Sequence, residues 1–421
     1  MIHAYADFDT VGLEEPDTVS TGIYFMIAPL FALFCAVSLN FVGPLDQATD
    51  MTVGIMLIWG FAVFFLPRPT QTGWRLLLVA ALIRLVLLPI DAGDMSPYPL
   101  LLSDAAILWD GGNPYIGPNP SYFSPLKLWL FAPLTEAGTW LPRLFAAAFD
   151  VALVGGLVHF LSSRSRRTDG AWIYAIHPLG AVEGAVHGNL DALMLICAIL
   201  ATMAWSSSRS GLGWASLGSL LGGLPIVMFP ALWKRGKWIL GLTVLFTLII
   251  LLPITNSETP IWNGIKTGIT GNALPGILPM ISTWMNPMFM HGLCTLLAAV
   301  LVVLIWRRWK DPMDILLWSA SGWIVLAATI DPTAILWVWI PSLLCGIRSW
   351  SVLATLAPLA YLCLEPIDLY LLESTSKEWI PWVVFLPFLL SFAVEFARHQ
   401  TRPGPWRIGP AKTTLQSPSL I

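Results

Sequence analysis

Apolar residues run along this chain in long blocks, unlike the alternating or one-faced patterns of segments lying between a core and water. Blocks long enough to cross a bilayer as helices, roughly 17 to 25 residues each, lie at about 23–41, 51–67, 74–91, 140–162, 238–255, 287–306, 314–330 and 379–397. Shorter ones lie at about 171–186, 190–206, 333–347 and 351–366. The pattern predicts an all-α, polytopic membrane fold with about 11–13 transmembrane helices. The segment 212–233 is cut by "GGLP" (Gly222 to Pro225) and runs into "KRGK". It predicts two half-helices that dip in and return to the same side.

Composition sharpens this picture. Of 421 residues, 56% are hydrophobic and 11% charged, with a mean hydropathy of +0.73, where an ordinary soluble domain carries about 25% charged residues. The five cysteines sit in apolar runs without metal-ligand spacing, so neither a disulfide framework nor a zinc site is implied. Asp7, Asp9, Glu14, Glu15 and Asp17 give the start of the chain the wrong sign for a signal peptide. With the N-terminus inside, 17 of the 22 lysines and arginines fall on the cytoplasmic side. Lys127, Lys266 and Lys377 fall outside, and Arg84 and Arg143 lie within or at the ends of spans. This bias predicts a multi-pass protein of the cell membrane. Residues 1–397 read as one membrane domain with outer loops at 91–139, 256–286 and around 365–378, and 398–421 as a basic cytoplasmic tail.

Polar residues stand out against this background. The first outer loop carries Asp91 and Asp94 where a span meets water, then Asp104 and Asp110 on a short helical stretch. Asp110 precedes "GGNPY" and reads as a turn residue. A partly desolvated carboxylate can take a proton from a hydroxyl nucleophile, which makes Asp91 and Asp94 together candidates for a base. Acidic loops are also able to hold a divalent cation such as Mg or Mn by oxygen ligands. A second cluster is "HPLGAVEGAVHGNLDALM", residues 177–194. Polar groups at membrane depth are expensive and therefore candidates for function. His187, Asn189 and Asp191 fall at the outer surface as candidates to bind a polar ligand, with Asn189 or Asp191 as a cap of the next helix in the other reading. Glu183 lies a turn deeper and needs a cavity or a basic partner such as Arg143. His177, ahead of Pro178, reads as structural. Arg84 and Arg143 are each able to hold a phosphate bidentately, with a pairing to Asp150 as the other reading of Arg84.

"SDAAILWDGGNPY" followed by "SYFSPL" resembles the first lumenal loop of the GT-C glycosyltransferase superfamily, especially the mannosyltransferases that add the first mannose to glycosylphosphatidylinositol and related prokaryotic enzymes. "PRLFAAAFDVALVGGLVHFL" (Pro142 to Leu161), "HPLGAVEGAVHGNLDAL" and "DPTAILWVWIPSLL" (Asp331 to Leu344) are similar to later elements of that family, in family order. The resemblance implies an inverting transfer of a sugar, mannose first, from a polyprenyl-phosphate or dolichyl-phosphate donor to a lipid-linked or glycan acceptor. It also implies an aspartate base in the first outer loop, here Asp94 with Asp91 and Asp104 as orienting or metal-binding partners, one carboxylate being enough for a single inversion. On the same ground His187, Asn189 and Asp191 bind sugar hydroxyls or the phosphate. Tyr115 of the "GGNPY" turn joins the substrate-binding set on the same ground. Two departures stand out: the aspartates are spaced Asp91-x-x-Asp94, and Val227 stands where the family places a lysine near the lipid phosphate. The competing reading is a multi-span transporter or flippase of lipid-linked sugar or a small solute. Nothing in the sequence points to nucleic acid as a partner.

Overall fold

The computed structural model describes residues 18–42, 49–65, 73–90, 98–116, 121, 123–164, 166, 168–204, 208–222, 224–232, 276–281, 287–309, 311–327, 330–363 and 379–401. These residues form helices and connecting turns, with no β-strand among them. In chain order the helices are α1 (Thr18–Val42), α2 (Thr49–Phe65), α3 (Gly73–Leu87), α4 (Tyr98–Trp109), α5 (Pro125–Phe131), α6 (Trp140–Ser163), α7 (Asp169–Ile176), α8 (Pro178–Ala185), α9 (Asp191–Met203) and α10 (Ser208–Gly222). They continue as α11 (Phe229–Leu232), α12 (Ile277–Ile281), α13 (Pro287–Arg308), α14 (Pro312–Leu326), α15 (Pro332–Cys345), α16 (Ser349–Leu356) and α17 (Ile380–Thr401). Two helical stretches, Trp140–Ser163 and Ile380–Ala397, are long and apolar enough to cross a membrane.

Four of these helices begin by one device. Ser124, His177, Asp311 and Asp331 each precede a proline and accept a backbone N–H from two or three residues further on. Proline at the first helical position gives up only an N–H that would have no partner, while the side chain ahead of it satisfies another. The same device breaks the apolar block 171–186 at Pro178. His177 ends α7 and starts α8, its Nδ1 accepting from the Leu179 N–H at 3.2 Å while its Nε2 lies 3.1 Å from the Thr355 hydroxyl.

The break expected within 212–233 is present. Helix α10 ends at Gly222, a 3₁₀ turn follows at Leu224–Met228, and Pro225 packs back on Gly218, where a Cβ would come within 2.9 Å of the ring. The stretch 238–255 and most of the second outer loop lie outside the described residues, as does 402–421. Helix α17 continues to Thr401, past the apolar stretch that ends at Ala397.

Small and large apolar residues divide between the faces of the outer helices. On α1, Ala28, Ala32, Cys35 and Ala36 are buried, while Met26, Leu30, Phe34 and Phe41 are exposed. Large apolar side chains also project outward along α2, α3, α13 and α17. Inside, α6 packs against α3, α8 and α9, and α15 closes over α8 and α9. Within this core Arg84 and Asp150 are almost wholly buried and joined by Nε–Oδ2 and Nη2–Oδ2 contacts of 2.7 and 2.6 Å. The Tyr174 hydroxyl donates to the other Asp150 oxygen, and an Arg84 Nη1 hydrogen donates to the carbonyl of Ala175. A second, smaller core joins α4, α5 and the start of α6 through Leu101, Leu108, Leu128 and Phe131.

Candidate functional site

The candidate site lies where the turn between α8 and α9 meets the C-terminal end of α3 and the N-terminal ends of α6 and α15. Val186 closes α8, and the turn that follows is held by the Asn189 N–H donating to the Glu183 carbonyl at 3.0 Å. Gly188 takes φ +60, and a Cβ there would stand 2.5 Å from the Tyr98 ring and 3.3 Å from Arg143 Cγ. Only glycine meets both demands. Gly188→Ala is expected to lower the melting temperature in detergent by several degrees and to weaken the seating of Tyr98. An unchanged melting temperature would show that this turn is not fixed by the close approach.

Arg143 reaches both Ile90, after α3, and Tyr98, at the start of α4. Its Nη1 donates to the carbonyl of Ile90, and its guanidinium lies 5.8 Å from the centroid of the Tyr98 ring. Ile90 and Tyr98 are the residues on either side of 91–97. Both flanks of the stretch that carries Asp91 and Asp94 are thus fastened to one arginine, beside His187 and Gly188. Asp91 and Asp94 themselves lie outside the described residues.

Glu183 is buried one turn below. The expected pairing with Arg143 is replaced by hydroxyl donors, since the guanidinium is turned toward Ile90. Thr333 Oγ1 donates to Glu183 Oε2 at 2.6 Å, and the Tyr361 hydroxyl donates to Oε1. His187 Nδ1 stands 3.7 Å from the same Oε1, and the imidazole meets the Tyr361 ring edge-on at 5.3 Å. Lying in the turn outside the helices, His187 is held well below the ordinary imidazole value, at about 4, mainly by burial and further by the Arg143 charge, against an opposing pull from Asp331.

The remaining expected residues divide by what already occupies them. Asp191 has both oxygens in use, one by the ammonium of Lys127 and the other by Trp337 Nε1 at 2.6 Å. Asn189 Oδ1 accepts from the Asp191 N–H at 3.0 Å, so its side chain stabilises the start of α9. Arg84 is engaged by Asp150, as described above. Tyr115 is buried in the smaller core with its hydroxyl donating to the Phe123 carbonyl at 2.6 Å. Val227, at the position of the family's lysine, presents its carbonyl to Trp306 Nε1 at 2.8 Å.

Lys127, Thr333, Trp337 and Tyr361 were not selected from the sequence. Lys127 carried the one usable signal, as one of three basic residues on the outer side. Thr333, Trp337 and Tyr361 lie in apolar runs and reach the cluster only through the packing of α15 and the 3₁₀ segment Ala357–Cys363.

Asp104 lies apart from this cluster, in the smaller core, with Oδ2 buried and without a hydrogen-bond partner among the described residues. Burial pushes its carboxyl above the ordinary carboxylate range, partly offset by a hydrogen bond from Ser121. Below the ordinary range the group is protonated in both folded and unfolded states. As pH rises the unfolded chain ionises first, so stability falls until the folded group ionises as well. Asp104→Asn is therefore expected to melt a few degrees above the parent at about pH 8 and level with it at about pH 4. A parent and variant that differ equally at both pH values would contradict this.

The described residues hold no cluster of three His, Cys, Asp or Glu side chains able to bind a metal ion. The acidic pair that the sequence offers for a cation, Asp91 and Asp94, lies outside them. No protein-family model, curated protein or solved structure matches the chain.

Proposed function

We propose that the chain is a multi-span membrane glycosyltransferase of GT-C type, moving a sugar, mannose first, from a polyprenyl-phosphate donor to a lipid-linked or glycan acceptor on the outer face of the cell membrane. The observation that carries this reading is the fastening of both flanks of 91–97 to Arg143, directly beside His187 and the Glu183 group. Ile90 and Tyr98, the residues on either side of the acidic stretch suggested by the resemblance, thus lie beside the buried polar cluster of residues 183–191, which is distant in sequence. The multi-span reading is supported by the outward-facing Met, Leu and Phe side chains over small buried ones. Small residues let helix backbones approach closely in a bilayer, while large apolar side chains face lipid at little cost.

The chemistry follows from inversion. The acceptor oxygen attacks the anomeric carbon as the bond to the phosphate breaks, and the electron pair leaves with the polyprenyl phosphate. The hydroxyl proton passes to a carboxylate of the loop, with Asp94 as the proposed base and Asp91 beside it. The fixed charge of Arg143 suits a phosphate that gains negative charge as the bond breaks.

The deciding experiment gives purified protein in nanodiscs radiolabelled polyprenyl-phosphate mannose or glucose with a mixed glycolipid and glycan acceptor pool. Label in a new product supports the transferase. Label that stays on the intact donor, and crosses the bilayer of a proteoliposome in a saturable manner, would replace it with the transporter reading.

A further inference from the structure

Two buried nitrogens in the cluster have no hydrogen-bond partner among the described residues: His187 Nε2 and Arg143 Nε. His187 is 4% exposed and Arg143 is 9% exposed, so water does not satisfy them freely. Leaving such atoms unpaired in a folded protein costs free energy, which a ligand offering the matching groups would recover.

The two nitrogens differ in what they require. A guanidinium nitrogen only donates. An imidazole nitrogen does either, according to the tautomer, and here the surroundings choose. Nδ1 faces the Glu183 carboxyl oxygen at 3.7 Å, too far for a hydrogen bond but close enough that a lone pair pointed at it would be repelled. The proton therefore belongs on Nδ1, and burial with the neighbouring Arg143 charge keeps the ring neutral. Glu183 is itself fixed by Thr333 and Tyr361, and Asp331, which caps α15, also acts on the ring. Nε2 is left with a lone pair that nothing among the described residues meets.

We propose that His187 is a specificity-determining residue whose Nε2 accepts a hydrogen bond from a substrate hydroxyl, while Arg143 Nε donates to an anionic phosphate oxygen of the same ligand. This deepens the glycosyltransferase reading and rests on it. The site asks for one hydroxyl and one anion, the pairing that a glycosyl phosphate carries. A phosphate at His187 is disfavoured, because a lone pair would face a negatively charged oxygen.

A site built to bind a hydroxyl rejects the analogue that lacks it, since the buried polar atom is then left bare. The test compares polyprenyl-phosphate mannose with its 2-, 3-, 4- and 6-deoxy analogues as donors, in a parallel arm with deoxy acceptors, using the full-length protein and His187→Gln. In the wild type one deoxy donor is expected to fall in kcat/KM by roughly tenfold to a hundredfold relative to the parent sugar. In His187→Gln that ratio shrinks toward one while the ranking of the other analogues is kept. If the sensitive compound is a deoxy acceptor, the hydroxyl belongs to the acceptor and the assignment of His187 stands, while the shared ligand with Arg143 falls. Equal deoxy ratios in wild type and variant overturn the proposal even though transfer itself persists. Absence of transfer from any parent donor overturns the underlying reading instead.

Glu183→Gln is a second variant that keeps the imidazole. It is expected to reduce the same deoxy ratio, through KM more than kcat, because the ring loses its fixed tautomer. A melting temperature of His187→Gln close to that of the parent separates lost recognition from lost fold. If His187→Gln fails to fold, the Glu183→Gln ratio decides: an unchanged ratio overturns the proposal.

Discussion

Asp94→Asn is expected to abolish sugar transfer, lowering kcat by about 10²- to 10⁴-fold, the range over which a positioned acid or base accelerates a reaction. The asparagine keeps the size and much of the hydrogen-bonding shape of the side chain but cannot take the proton from the acceptor hydroxyl. Donor binding, measured by retention of labelled polyprenyl-phosphate mannose on the immobilised protein, is expected to persist within about threefold, because the phosphate contact is assigned to Arg143. Asp91→Asn should cost less, since an orienting neighbour changes the base without replacing it. Wild-type turnover in Asp94→Asn would reject the residue as base. A larger loss in Asp91→Asn than in Asp94→Asn would move the role by one turn of the loop.

The second large effect concerns stability. Asp150→Ala removes the counter-charge of Arg84 and leaves a guanidinium nearly devoid of solvent, facing only backbone carbonyls. Breaking a buried pair in this way costs about 3–5 kcal/mol, and the variant is expected to lose monodispersity in detergent and most of its folded yield. The double variant Arg84→Met with Asp150→Leu replaces both charges by apolar groups of similar volume and is expected to recover the fold. If it also recovers transfer, Arg84 holds the fold and does not hold the phosphate. Full stability of Asp150→Ala would show that the pair contributes nothing to the folded state.

The buried pair also illustrates how far the sequence reaches. Arg84 and Asp150 both lie in apolar runs, and charge in such a run must be paired or functional. That argument narrowed Arg84 to two readings without choosing between them, because the choice depends on how α3 lies against α6. Glu183 followed the same course. Its need for partners was legible, but the partners are two hydroxyls drawn from segments 150 and 178 residues away.

Residues near in sequence were read more securely. The "HGNLD" run had to form a turn because glycine, asparagine and aspartate separate two apolar blocks. The structure places Gly188 at φ +60 and Asn189 in a bond to the next helix start. The break at His177–Pro178 was legible as a proline signal, and the structure places two short helices on either side of it.

Local pattern therefore determined what local physics controls. The apolar blocks require helices because a backbone away from water must satisfy its own hydrogen bonds. Prolines and glycines mark where those helices stop, and isolated charges mark where cost demands a reason. Tertiary structure decided which charges neutralise one another and which are left over. Asp191 and Arg84 have their charges matched by Lys127 and Asp150, whereas His187 and Arg143 have no such full counter-charge among the described residues and each keep a nitrogen without a hydrogen bond. Pairing between side chains depends on distance in space, which helix packing sets and sequence separation does not.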